Sequence, residues 1–340
     1  MGLGTAWARR PTERPLARRF SFFAAALLAA AACASAAAES ATGAGPPVCG
    51  GMEGPPPPVY RHVIVIMDEN KSFSDIIGPR GSAARRDAPF LNTLAASCGL
   101  ATHYYGVTHP SHPNYTAVTG GIHTMHSPAR GPNIFDQVRR SGRAWRSYNF
   151  AMRRPCQRTA VYPYKPDHNA GIAWSRNAAY CDRWDVAGAA LAGAVARHQL
   201  PAYAFVTPDQ CHNMHAACSG GMSATRAGDN WLRKWVGLLV RMPSYQLGRT
   251  AIFITWDEGS HGQSRAKRGE NCLAPANRHD QTCHLPTLVL SAYVRPGSRN
   301  GRFLSHYSLL HTTEVLLGLQ TFVGHAADPS AKGMRLGLGL

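Results

Sequence analysis

An apolar, β-branched run, His62-Val63-Ile64-Val65-Ile66-Met67, ends abruptly at Asp68-Glu69-Asn70-Lys71-Ser72. A second run of the same design, Ala251-Ile252-Phe253-Ile254-Thr255-Trp256, ends at Asp257-Glu258-Gly259. A half-buried strand would alternate apolar with polar residues. Unbroken runs of this length predict strands buried on both faces, as in a parallel sheet. Further strand patterns fall at 101–107, 144–150, 202–207 and 285–291. Helical spacing falls between them, at 89–97, from Asn114 to the Gly120-Gly121 pair, and at 134–140, 229–241 and 309–318. Strands alternate with helices, which predicts one α/β domain over residues 59–325 around a mostly parallel sheet. Residues 37–58 read as a Pro/Gly-rich leader, 152–184 as an insertion or lid, and 326–340 as a C-terminal tail.

The first residues change the picture. Arg9, Arg10, Arg14, Arg18 and Arg19 precede an apolar run from Phe20 to Cys33, and Ala34-Ser35-Ala36 fits a cleavage site. The pattern is that of a secretory signal over residues 1–36, too short for a membrane span. Lipid anchoring at Cys33 is disfavoured, because Ala30 stands where a larger aliphatic residue is expected. The chain of 340 residues carries a net charge of +17, and removal of the signal takes five arginines and Glu13, leaving +13. That excess favours anionic phosphate substrates or contact with a membrane surface. No nucleic-acid-binding module is recognisable, and no dedicated protein partner is indicated. Eight cysteines remain after the signal, an even number consistent with up to four disulfides in an exported protein. Cys211–Cys218 and Cys272–Cys283 are the natural short-loop pairs, with Cys156–Cys181 and Cys49–Cys98 next; spacing alone does not decide the pairing. No CxxC pair is present, which argues against a cysteine zinc site.

Ligands bind beyond the carboxyl ends of parallel strands. Glu69 and Asn70 on one strand end and Asp257 and Glu258 on another therefore make a candidate site for a divalent metal ion, since clustered carboxylates need a counter-ion. Ser111 lies in Thr108-His109-Pro110-Ser111-His112-Pro113-Asn114-Tyr115, where two prolines predict an extended loop. A hydroxyl beside a cation can attack phosphorus, so Ser111 is the candidate nucleophile. Of sixteen histidines, His215 and His306 stand out beside predicted strand or helix ends, as groups for phosphate oxygens or for protonating a leaving group. Asn114 and Asn133, with His109, are candidate substrate-binding residues, although an asparagine ahead of Ile134 also suits a helix cap.

Together these stretches resemble the bacterial phosphoesterase family of the alkaline-phosphatase-like superfamily, which holds secreted acid phosphatases and phospholipases C. Asp68-Glu69-Asn70-Lys71-Ser72-Phe73 is similar to its opening motif, and the segment around Ser111 to its nucleophile loop. Cys211-His212-Asn213-Met214-His215 resembles a further motif, with Asn213 where aspartate is usual. Gly228-Asp229-Asn230, Thr255-Trp256-Asp257-Glu258-Gly259, Leu285-Pro286-Thr287 and Ser305-His306-Tyr307-Ser308 extend the match in order. The resemblance implies a three-layer sandwich around the sheet and hydrolysis of phosphate esters at one divalent metal, a second not being excluded. It implies that Glu69, Asn70, Asp257 and Glu258 hold the metal, that Ser111 forms a phosphoseryl intermediate, and that His215 and His306 serve the phosphoryl group. The short chain points to a secreted acid phosphatase acting on phosphorylated small molecules or phosphoinositide headgroups. A phospholipase C or other phosphodiesterase, and a non-catalytic anion- or lipid-binding protein, are the alternatives.

Overall fold

The computed structural model describes residues 47–218, 220–260 and 268–340. The expected signal, His261 and most of the basic stretch 265–268 lie outside the described residues. Nine strands form one sheet: β1 His62–Asp68, β2 Gly99–Tyr105, β3 Trp145–Asn149, β4 Asp185–Ala187, β5 Tyr203–Thr207, β6 Thr250–Trp256, β7 His284–Leu290, β8 Arg299–Asn300 and β9 Leu304–Ser305. Their order is β4-β3-β5-β1-β6-β7-β2-β8, with β9 also on β2. Only β7 runs against the rest; it pairs antiparallel with both β6 and β2. The two unbroken apolar runs are neighbours at the centre, and every residue of β1 and β6 is buried. Each large aliphatic side chain removed from water there contributes about 1.5–3 kcal/mol, which is why the acids are held at the strand ends and not along them.

Five helices matter for the site: α1 Pro89–Ser97, α2 Ser111–Gly120, α3 Ile134–Arg140, α4 Ala224–Leu239 and α5 His306–Leu316. Helix α2 begins at Ser111, three residues before the expected start, because Pro113 sits in the first turn where its missing N–H is harmless. Buried Asp229 of α4 accepts from Phe90 N (3.0 Å) and Leu91 N (2.9 Å), capping α1 from another element.

All four expected cysteine pairs are disulfides: Cys49–Cys98, Cys156–Cys181, Cys211–Cys218 and Cys272–Cys283. Four such bonds belong in an oxidising compartment. Two expected boundaries move. Cys49 is buried and bonded to Cys98, so the leader joins the core from at least that residue. The tail joins it too, since Met334, Leu338 and Leu340 are buried in the main core. Both segments look detachable in sequence because their few apolar residues follow no helical or strand period.

Candidate active site

Register pairs Asp68 with Trp256 across β1 and β6, so both acidic strand ends leave the sheet side by side. Asp257 N donates to Asp68 O at 3.1 Å. Asn70 then turns through a left-handed conformation, φ +42°, which asparagine tolerates better than most residues. That turn lets Asn70 N donate to Asp257 Oδ1 (3.2 Å) and Asn70 Nδ2 to Glu258 Oε1 (2.7 Å). Beyond Glu258, a Cβ on Gly259 would stand 2.5 Å from Thr282 O and 2.7 Å from Ser72 Oγ, so a side chain there would force the strand ends apart.

Helix α2 delivers Ser111 to this cluster. Its Oγ lies 3.2 Å from Glu69 Oε2 and 3.2 Å from Glu258 Oε1. One turn on, on the same helical face, the buried Tyr115 hydroxyl donates to Glu69 Oε1 at 2.5 Å. Asp68, Glu69, Asp257 and Glu258 are all essentially shut off from solvent. Burial pushes the Asp68, Glu69 and Asp257 carboxyls upward, and their mutual repulsion pushes the same way. Such a cluster is either protonated or neutralised by a cation.

The residues present fit a cation. Both carboxyl oxygens of Asp68, Asn70 Oδ1 and Asp257 Oδ2 are buried without a hydrogen-bond partner among the described residues. Oxygen donors with open lone pairs and concentrated negative charge suit a hard divalent ion. Glu69, Asn70, Asp257 and Glu258 are the side chains that would hold it, with Ser111 beside them. His109, Cys272 and Cys283 also lie within ligating distance of one another, but their sulfurs form a disulfide.

The histidines divide. His109 Nδ1 is 2.5 Å from Glu258 Oε2, and its Nε2 faces the sulfurs of Cys272 (3.7 Å) and Cys283 (4.0 Å). This buried ring lies against a carboxylate of the acid cluster. His306 Nε2 donates to the Asp257 carbonyl at 2.7 Å, and its Nδ1 accepts from Tyr104 OH at 2.9 Å. Burial brings its pKa down to about 4, so it stays neutral with both nitrogens engaged. His306 therefore ties the end of β6 to Tyr104 of β2. His215 stays exposed at the rim, its ring centroid 6.4 Å from that of His168.

The two asparagines make local contacts, and Asn133 Nδ2 keeps no hydrogen-bond partner among the described residues. Asn114 spends its side chain on the nucleophile loop, with Oδ1 accepting from Val107 N (2.9 Å) and Thr108 N (3.3 Å) and Nδ2 donating to Thr108 O (2.7 Å). Asn133 is the N-cap of α3, accepting from Asp136 N at 3.0 Å.

Asp68, Tyr104, Tyr115 and His168 were not singled out in the sequence. His168 comes from the 152–184 insertion and sets Nδ1 3.1 Å from Glu69 Oε1, with its ring stacked parallel on Tyr115. Burial, reinforced by Lys165, holds His168 well below the usual histidine range. The signal available for Asp68 and Tyr115 was adjacency to Glu69 and helical spacing from Ser111; for His168 there was none.

Comparison with known proteins identifies the family and the fold. The profile of the Phosphoesterase family matches residues 79–320. The chain is 28% identical over 267 residues to a phosphatidylinositol-3-phosphatase of Mycobacterium tuberculosis, covering 76% of this chain and 78% of that protein. It is 28% identical over 250 residues to an acid phosphatase of Aspergillus fumigatus, covering 67% of this chain and 50% of the fungal enzyme, so it spans half of that relative's length. Among solved structures, a Vibrio parahaemolyticus protein of the alkaline phosphatase superfamily superposes with a TM-score of 0.52 at 15% identity, over 84% of this chain and 75% of that one. With the motifs in family order on an alkaline-phosphatase-like sheet, the chain is a phosphoric ester hydrolase and belongs to the phosphoesterase family.

Proposed function

We propose that the protein is a secreted, divalent-metal-dependent acid phosphatase that hydrolyses phosphate monoesters through a phosphoseryl intermediate at Ser111. The observation that carries this reading is the placement of Ser111 Oγ 3.2 Å from two buried carboxylates at the start of a ten-residue helix. A divalent ion bound by Glu69, Asn70, Asp257 and Glu258 would lower the pKa of the Ser111 hydroxyl and offset charge on the phosphoryl oxygens. Ser111 Oγ attacks phosphorus as the ester P–O bond breaks on the opposite side. Ser111 sits at the N-terminus of α2, where the helix dipole favours an anion. His215, at the open rim, supplies the proton to the departing alkoxide; water then cleaves the phosphoseryl bond and returns Ser111. The mycobacterial relative's name supports a phosphorylated inositol headgroup among the substrates, and the fungal relative's name supports acid phosphatase activity.

The test is turnover of p-nitrophenyl phosphate and its bis-ester by the mature protein, with and without chelator. Ser111→Ala and chelation should each cut monoester turnover by about a thousandfold or more. Undiminished turnover by the Ser111→Ala protein would remove Ser111 as nucleophile. Preference for the bis-ester would turn the assignment to a phosphodiesterase of the phospholipase C kind.

A further inference from the structure

The segment between β3 and β4 reads in sequence as a lid or insertion, yet it sends a buried histidine to the centre of the site. His168 has no regular helix or strand to aim it. Only a three-residue 3-10 turn, Pro166–His168, precedes Asn169. Its aim must come from tertiary contacts.

Those contacts converge on the next residue. Asn169 is buried and uses its whole side chain. Its Nδ2 donates to Asp185 Oδ2 (3.0 Å) and Tyr164 OH (3.0 Å), while its Oδ1 accepts from Gly171 N (2.9 Å). Asp185, fully buried on β4, also accepts from Asn149 Nδ2 (2.7 Å) at the end of β3 and from Cys156 N (3.1 Å). Cys156 is bonded to Cys181, four residues before Asp185. One carboxylate thus ties both ends of the segment and its middle to the sheet edge. Two further contacts meet His168 itself: Thr207 Oγ1 donates to its carbonyl at 3.1 Å, and the Gln210 amide lies 3.0 Å from Nδ1. Gly171 packs so closely that a Cβ would stand 2.7 Å from Asp185 Oδ1. A flap that opened would have to break all of these in a buried setting, where each orphaned polar group costs about 1–3 kcal/mol.

We propose that this segment is a fixed wall of the active site, and that Asn169 and Asp185 are positioning residues that hold the His168 imidazole against Glu69. The inference deepens the phosphatase reading, because it sets the His168 ring beside Glu69 Oε1, a carboxylate that Tyr115 and Ser111 also meet. Carboxylates that hold metals need such outer partners, and losing one typically costs about 10–100-fold in metal affinity or activity.

The experiment compares wild type, Asn169→Ala, His168→Gln and the double variant. It follows kcat and KM on p-nitrophenyl phosphate, Mn2+ affinity by calorimetry, and the side-chain 15N resonances of the histidines. Asn169→Ala and His168→Gln should each lower kcat and weaken Mn2+ binding by about 10–100-fold. The double variant should be no worse than His168→Gln alone, because Asn169 acts through His168. The resonance identified by its loss in His168→Gln should shift in Asn169→Ala. Multiplying penalties in the double variant, or an unmoved His168 resonance, would overturn the proposal. Should wild type hydrolyse no phosphate ester, the phosphatase reading fails by itself, and the resonance still decides the positioning role. Asp185→Asn, of the same shape, provides a second route if Asn169→Ala does not fold, and should shift the same resonance.

Discussion

The Tyr115 hydroxyl donates to Glu69 from one helical turn beyond Ser111, in a position with no access to solvent. Tyr115→Phe deletes one oxygen and keeps the ring stacked on His168, so the fold should survive. Glu69 would then have only His168 and Ser111 to orient it. We expect about a 10–100-fold loss in kcat/KM on p-nitrophenyl phosphate, with a parallel loss of divalent-ion affinity. Full retention of both would reduce Tyr115 to packing. The same site shows what residue types reveal unaided. Glu69, Asn70, Asp257, Glu258 and Ser111 were legible because buried acids after apolar runs, and a serine held between prolines, have few structural reasons to exist. Asn114, Asn133, His109 and His306 were candidates for substrate chemistry, and in the structure each also contacts the backbone or a carboxylate. An amide or imidazole serves a ligand, a cap or a loop equally well, and only its partners separate these uses. His168 was invisible for the opposite reason: its neighbours in sequence carry no periodicity, and no local pattern marks it.

Helix α5 carries an ionisable group that the chemistry does not use. Glu314 is fully buried; its Oε1 accepts from Val323 N at 3.0 Å, while Oε2 has no partner among the described residues. Oε1 of nearby Gln137 is likewise unpartnered. Burial raises Glu314 to about 8 against an ordinary 4.5, outweighing the lowering by its contacts with Val323 and Gln137. Between those pH values the folded state holds more protons than the unfolded state, so stability falls as pH rises through the window. The effect is on the order of a few kcal/mol across about three pH units. Glu314→Gln keeps the acceptor for Val323 and adds a donor, so its stability should be flatter from pH 5 to 8 and higher at 8. Urea melts of both proteins at saturating divalent ion would show this as a difference, and identical slopes would refute it. Elements were the most legible level: α3 and the central strands fell where the periodicity put them. The antiparallel run of β7 and the short edge strands β4, β8 and β9 were not, because they follow from pairing partners, which local pattern does not encode.

At the scale of the molecule, the order of the motifs pointed to an α/β phosphoesterase, but not to where the domain stops. Residues 326–340 have few large apolar side chains and no period, so the stretch reads as a tail. The structure instead buries Met334, Leu338 and Leu340 in the main core. Met334 N donates to Thr312 Oγ1 of α5 at 2.8 Å, and Asn300 Nδ2 of β8 donates to Leu336 O at 3.0 Å. Three large side chains at about 1.5–3 kcal/mol each make an upper contribution of roughly 5–9 kcal/mol. That is comparable to the whole stability of a typical domain, about 5–15 kcal/mol. Deleting residues 326–340 should therefore lower the melting temperature steeply or leave the chain insoluble. Calorimetry of the truncated and full chains decides it. A truncated protein that melts within about 3 °C of full length would mean that these apolar side chains contribute little, and that the domain ends where the sequence period does.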